Sequence, residues 1–288
     1  FPLQSLRRLF IMIDVMTSYE KLSRNEVFPL AYTYADYKKM YEERKGTVQD
    51  ALNLIHSGDV IMCSNNYNET TVIFDHLHEI ADRVDNVWVY KSRIGEYPFL
   101  ITEGMNGHIN SMNYFYGPSY RKAHKLLNAS FIPVDLPNYY FKTEAHKPST
   151  IFMACVSPMD EEGNMYIGMN QTVEYYAVKD AIEKHKKIIL EVNPNLTYMR
   201  GSVKINIKDV TLLVEVKTPE YTTKPIVTSE DEDKIGHMVA DLIEDGDTIQ
   251  MGIGGIPDTV GKYLMDKHDL GLHTEQFTSS MAQLIEAG

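Results

Sequence analysis

The sequence predicts an α/β fold built as two related open α/β domains with parallel or mixed sheets, the second truncated in this chain. Three observations carry this. Helical stretches near 48–56, 69–84, 119–127, 174–186, 231–244 and 256–267 interleave with apolar strand-like runs, an alternation that places helices over a largely parallel sheet. The stretch ALNLIHSGDVIMCSN, 51–65, is echoed 188 residues later by VADLIEDGDTIQMGI, 239–253. Each copy reads as a helix, a Gly-Asp turn and a strand, as in duplicated units. Finally, 248–277 reads as a βαβ unit: a β-type run Thr248 to Met251, a glycine turn, a helix with Val260, Leu264 and Met265 on one face, and a second strand ending in His273, Thr274 and Glu275.

In chain order, residues 1–15 stand apart as a non-native or leader segment, and their apolar run LFIMI is broken by Asp14 before it reaches membrane-spanning length. An N-terminal α/β domain is expected over 16–218. Its strands are VIMCS after the turn at Ser57, then NVWVY, FIPVDL, TIFMACVS, KIILEVN and TLLVEV. Lys91 and Arg93 follow NVWVY and suit a phosphate or, the favoured reading, a solvated edge. In YGPSYRKA, 116–123, Ser119 reads as a helix cap, and Arg121 and Lys122 suit either a phosphate or a solvated face. A polar, proline-bearing break, Lys217 to Thr228, separates the second domain, 229–288. Ser229 opens it as an N-cap, followed by carboxylates Glu230 to Asp233 that suit the helix dipole.

Composition narrows the class. With 288 residues, 43% hydrophobic and 24% charged, the chain can bury a real core. A formal net charge of −12 argues against a nucleic-acid partner. Only Cys63 and Cys155 are present, far apart in apolar runs, so a reducing cytoplasm and buried thiols are expected rather than a disulfide framework. His76 and His78 are two residues apart in a helical stretch, and no HExxH or CxxC spacing occurs, so no metal site is expected. No GxSxG elbow is present either.

The chemistry concentrates in Thr248 to Phe277. A βαβ unit puts its glycine loop and the acid ending its second strand at the carboxyl edge of a parallel sheet, where open α/β folds bind ligands. Two readings fit. In dinucleotide binding, glycines admit a pyrophosphate and an acid about twenty residues on holds a ribose hydroxyl; here the third glycine position counted from Gly252 is Pro257, so the fingerprint is incomplete. In the other reading the acid is a nucleophile and the loop's N–H groups hold an anion. His273, two residues from Glu275, would share its strand face, as a structural histidine or an influence on its ionisation.

GIGGIPD followed by LGLHTEQF resembles the paired motifs of the acetyl-CoA hydrolase/transferase family, most nearly its 4-hydroxybutyrate and butyryl-CoA:acetate CoA-transferases. ALNLIHSGD, YGPSYRKA, SPMDEEGNMYIG and ILEVNPN extend the likeness from about Tyr19 to the last residue. The resemblance implies that Glu275 is the nucleophile and that Gly252, Ile253, Gly254, Gly255 and Ile256 contact coenzyme A. It implies acyl-CoA and a short-chain carboxylate as substrates, no tightly bound cofactor, no metal, and a homodimer or higher homo-oligomer. An acyl-CoA hydrolase or a non-catalytic nucleotide-binding fragment are the alternatives. Gln276 stands where the family usually has Met, Ser279 and Ser280 replace an acidic-glycine pair, and SPMDEEG replaces SPPDEHG, so acyl preference is not implied. Family members start near Met16 and continue past Gly288, so the second domain is expected to need a further C-terminal portion.

Overall fold

The computed structural model describes residues 32–91, 96–169, 171–219, 222 and 227–288. The segment 1–15 set apart above, and Arg93, lie outside the described residues. The chain divides into two compact units between residues 220 and 221.

Unit one is organised by an eight-stranded sheet. Its strands are β1 (Lys45–Gly46), β2 (Val60–Cys63), β3 (Val87–Tyr90), β4 (Ile109–Asn113), β5 (Ala129–Phe131), β6 (Ile151–Val156), β8 (Lys187–Val192) and β10 (Leu212–Glu215), while β7 (Asn164–Tyr166) and β9 (Lys204–Asn206) form a separate antiparallel ladder. The order is β1-β10-β8-β6-β2-β3-β4-β5, and every neighbouring pair is parallel. From β2 the chain steps outward through β3, β4 and β5, then returns to place β6 on the other side of β2.

The strands β2, β3, β6, β8 and β10 read as largely apolar runs because helices cover both faces of the sheet. Their two-residue period divides each strand between two cores. Ile61 and Cys63 of β2, with Ile151 and Met153 of β6, join one; Val60, Met62, Phe152, Ala154 and Val156 join the other. The first core is closed by Ala51 and Leu52 of the helix Val48–Asn53 and by Ile73 and Phe74 of the helix Thr71–His76, the second by Ala177, Val178 and Ala181 of the helix Glu174–Glu183.

Unit two contains the helix Glu230–Ala240, β11 (Thr248–Ile249), the helix Gly255–Tyr263, β12 (Gly271–Leu272) and the helix Ser279–Ala287, around Ala240, Met251, Val260, Leu264 and Met281. The strands β11 and β12 are parallel. Ser229 caps its helix in a reciprocal box with Glu232, as its sequence position suggests: Ser229 Oγ accepts from Glu232 N–H, and the Glu232 carboxylate accepts from Ser229 N–H at 2.8 Å.

The internal echo is reproduced bond by bond. Gly58 and Gly246 have φ of 82° and 83°, the left-handed region that glycine enters without steric cost. Asp59 and Asp247 accept from the N–H of His56 and Glu244, 2.9 Å in each case. Their carbonyls then accept from Trp88 N–H at 3.0 Å and Gly271 N–H at 2.8 Å, which starts the next parallel strand. The same turn therefore launches β2 and β11.

Two local expectations are corrected. FIPVDL is not a strand: β5 ends at Phe131, and the rest of the run leads into a 3-10 turn, Leu136–Asn138. Pro133 has no N–H to give a ladder, which accounts for the stop. Ser119 is not the helix cap. The helix begins at Pro118 with Gly117 in the cap position, so Pro118 occupies the first turn, where a missing N–H costs nothing.

Candidate active site

In unit two the parallel pairing of β11 and β12 sends both following loops to one edge. His273 N–H continues the ladder by donating to Ile249 O at 3.1 Å, and Thr274 Oγ1 donates to Gln276 O at 2.8 Å. Glu275 is exposed in the bend that follows, with Oε1 3.4 Å from Gln276 Nε2. The second strand ends at Leu272, so His273 and Glu275 do not share a strand face.

The glycines of the other loop have separate duties. Gly254 sits at φ 140°, ψ 175°, a combination open essentially to glycine alone. Gly255 is buried, and a Cβ there would collide with the Glu232 carboxylate. Gly252 is exposed, with nothing within 4 Å of an added Cβ. The helix Gly255–Tyr263 has no side-chain cap on its first N–H groups. Those donors, with the positive end of the helix dipole, suit an anion. Ile253 projects into solvent at 72% exposure and Ile256 is half-buried.

The carboxyl edge of the unit-one sheet holds charged groups that sequence reasoning missed or misread. Lys91 is fully buried, contrary to the solvated edge expected of it: its Nζ lies 3.7 Å from Glu69 Oε2 and 4.9 Å from the Tyr97 ring centre, and Tyr97 donates to Glu69 Oε2 at 2.9 Å. A charge buried at a strand end is tolerated because an opposite charge meets it there. Glu174 and Glu191 are also fully buried. Burial pushes the Glu191 carboxyl up to about 8, against the opposing pull of the backbone N–H groups of Ile73, Val72 and Thr71. No local pattern marks these acids as buried, since Ser64, which donates to Glu174, and Ile73, which donates to Glu191, each lie more than a hundred positions away in sequence.

Cys63 and Cys155 are buried and unpaired with each other, and burial raises both thiols, Cys155 to about 12, so neither is poised as a nucleophile. Among the described residues no group of three His, Cys, Asp or Glu side chains could hold a metal, and no helix is long and apolar enough to cross a membrane.

No protein-family model matches the chain. It is 31% identical over 258 residues to the succinyl-CoA:cyclohexane-1-carboxylate CoA transferase of Geobacter metallireducens, an alignment covering 88% of this chain and 56% of that enzyme. It is 29% identical over 259 residues to the 4-hydroxybutyrate coenzyme A transferase of Clostridium kluyveri, covering 88% and 58%. The crystal structure of RipA from Yersinia pestis shares the fold, with a TM-score of 0.77 at 24% identity over 88% of this chain and 61% of that one. The chain thus spans little more than half the length of the curated relatives it matches. By sequence over most of its length, and by its parallel α/β fold, this chain is a homologue of the CoA transferases.

Proposed function

We propose that the protein moves coenzyme A from a short-chain acyl-CoA, acetyl- or butyryl-CoA, to a carboxylate such as 4-hydroxybutyrate, butyrate or acetate, with Glu275 as the nucleophile. The observation that carries this is the βαβ unit of a CoA-transferase homologue: it brings an uncapped, glycine-led helix N-terminus and an exposed glutamate to one sheet edge.

In this reading the ionised Glu275 attacks the thioester carbonyl, expels CoA thiolate and forms a mixed anhydride. The thiolate attacks the glutamyl carbonyl, releasing the first acid and leaving a glutamyl-CoA thioester. A second carboxylate reverses the two steps and leaves as its CoA ester. A thioester is exchanged for a thioester, so neither ATP nor a redox partner is needed. Each attack passes through an oxyanion, and a backbone N–H of the Gly252 to Ile256 loop placed on it would contribute on the order of 3 kcal/mol. The same loop would contact coenzyme A, whose phosphates need local donors on a chain of net charge −12. A homodimer or higher homo-oligomer is the assembly this reading expects.

Release of CoA from butyryl-CoA, followed with and without acetate, tests the reading. Transfer requires acetate and yields acetyl-CoA in equal amount; CoA release indifferent to acetate would make the protein a hydrolase.

A further inference from the structure

The helix Glu174–Glu183 has two faces that suit packing. Ala177, Val178 and Ala181 enter the second core of unit one. A further stripe, Tyr175, Val178, Lys179, Ile182 and Glu183, recurs at i, i+3, i+4, i+7 and i+8, the spacing of a helix face that lies against a neighbour. In unit one this stripe forms one wall of an open groove of about 480 Å³, whose other wall is Gly201 to Lys204.

The second wall is held in place by its own hydrogen bonds. Ser202 Oγ accepts from Met199 N at 3.0 Å and from Gln171 Nε2 at 2.8 Å, and Gln171 Oε1 accepts from Val203 N at 2.6 Å. Apolar surface continues from both walls. Tyr175 is 61% exposed; its ring centre lies 5.4 Å from that of Tyr176, and Tyr176 lies 5.0 Å from Phe141, itself 52% exposed. Beyond Gly201 stand Tyr198 and Met199, each about half exposed. A continuous apolar face rich in tyrosine, with a preformed groove at its centre, is a feature of protein interfaces that monomers rarely leave uncovered.

Charge selects the partner. The chain carries a formal −12, so two copies repel across most of their surface. The groove is lined instead by Lys179, Lys204 and Glu183, two cations to one anion. The pair Lys179–Glu183 is loose, at 3.9 Å with both side chains more than half exposed, and adds little within one copy. A two-fold axis crossing the helix between these positions lays a second copy's helix antiparallel over the first and sets Lys179 of each copy against Glu183 of the other. One patch then supplies both halves of the contact, as a two-fold interface requires.

We propose that this face of unit one is where a second copy of the chain docks, with the helix Glu174–Glu183 against its two-fold mate. The surface serves the homo-oligomer expected above, yet it stands on packing and charge whether or not the protein transfers CoA.

Sedimentation equilibrium of the full chain over micromolar concentrations, with amide hydrogen exchange at the same concentrations, is the test. The parent reaches twice the 33.0 kDa of one chain, and exchange over 174–183 slows as the dimer forms. Tyr175→Glu raises the dissociation constant about thirtyfold, the loss of one central aromatic contact. Lys179→Glu and Glu183→Lys each raise it roughly tenfold by setting like charges face to face, and the double variant recovers the parent's constant. Circular dichroism confines the comparison to folded variants. A monomer at every concentration overturns the proposal, as does a dimer that Tyr175→Glu leaves unchanged or a double variant no better than the single ones. Protection of 174–183 that ignores concentration also overturns it, even if the variants fail to fold, because the chain then covers this face itself. A dimer disrupted at Tyr175 but showing no acetate-dependent CoA release would sink the transferase reading and leave the surface standing; transfer by a strict monomer would do the reverse.

Discussion

Gly255 is packed against Glu232 so closely that the smallest side chain at 255 would meet the carboxylate that completes the Ser229 capping box. One glycine of the loop that the resemblance assigns to coenzyme A is therefore committed to holding two helices together. This separates the three loop glycines into testable roles.

Gly255→Ala displaces Glu232 and breaks the box, lowering stability by about 1 kcal/mol or more. Gly252→Ala meets nothing within 4 Å and leaves the melting temperature unchanged. If the loop closes on coenzyme A, Gly252→Ala raises the KM for acyl-CoA, because the added methyl stands between backbone and ligand. Gly254→Val lowers both stability and activity, since φ 140° is strained for any side chain. Melting curves measured beside the rates decide each case, and an unchanged KM in Gly252→Ala would remove that residue from the binding loop.

The two ion pairs at opposite extremes of burial should respond unequally. Lys91→Met removes a cation that meets the Glu69 carboxylate in the interior and lowers stability by about 3 kcal/mol. Lys39→Ala, which breaks the exposed pair with Glu43, leaves the denaturation midpoint unchanged. Equal midpoints for the two variants would contradict the buried placement of Lys91.

Glu191 makes stability depend on pH in a definite direction. Its carboxyl titrates near 4.5 when unfolded and near 8 when folded. Between those values the unfolded chain has released a proton that the folded chain still holds, so stability falls as pH rises through the window. Glu191→Gln removes the titration. The variant matches the parent below pH 4.5 and exceeds it by roughly 3 to 5 kcal/mol above pH 8. Parallel denaturation curves across pH 4 to 9 would show the gap opening; a gap that is constant with pH would mean Glu191 is not held neutral.

What was readable in the sequence was what local periodicity and turn chemistry dictate. The apolar runs at β2, β3, β6, β8 and β10 were legible because a parallel sheet covered on both faces demands them, and the Gly58 and Gly246 turns because their conformation demands glycine. The strand β4, INSMN, was not legible: its Asn110, Ser111 and Asn113 are buried polar groups. Ser111 Oγ, for one, donates to Val89 O at 3.2 Å on the neighbouring strand, a partner that no local pattern announces. The helix Tyr34–Arg44 escaped for another reason: it buries no residue fully and rests on the core only through the half-buried Tyr37, Met40 and Tyr41. In the candidate site, the placement of Gly252 to Ile256 and Glu275 at one edge could be read from the βαβ order, whereas Glu69, Lys91, Glu174 and Glu191 depend on contacts that only the folded sheet creates.

The most direct measurement is the mass of the Glu275 peptide after the protein meets butyryl-CoA without an acceptor. The account predicts a glutamyl-CoA thioester within 272–277 that borohydride reduces to an alcohol, with irreversible loss of activity, while borohydride alone does nothing. Glu275→Gln, nearly the same shape but a poor nucleophile, should give no adduct and no transfer. An unmodified Glu275 in a protein that still transfers CoA, or transfer retained in Glu275→Gln, would contradict it.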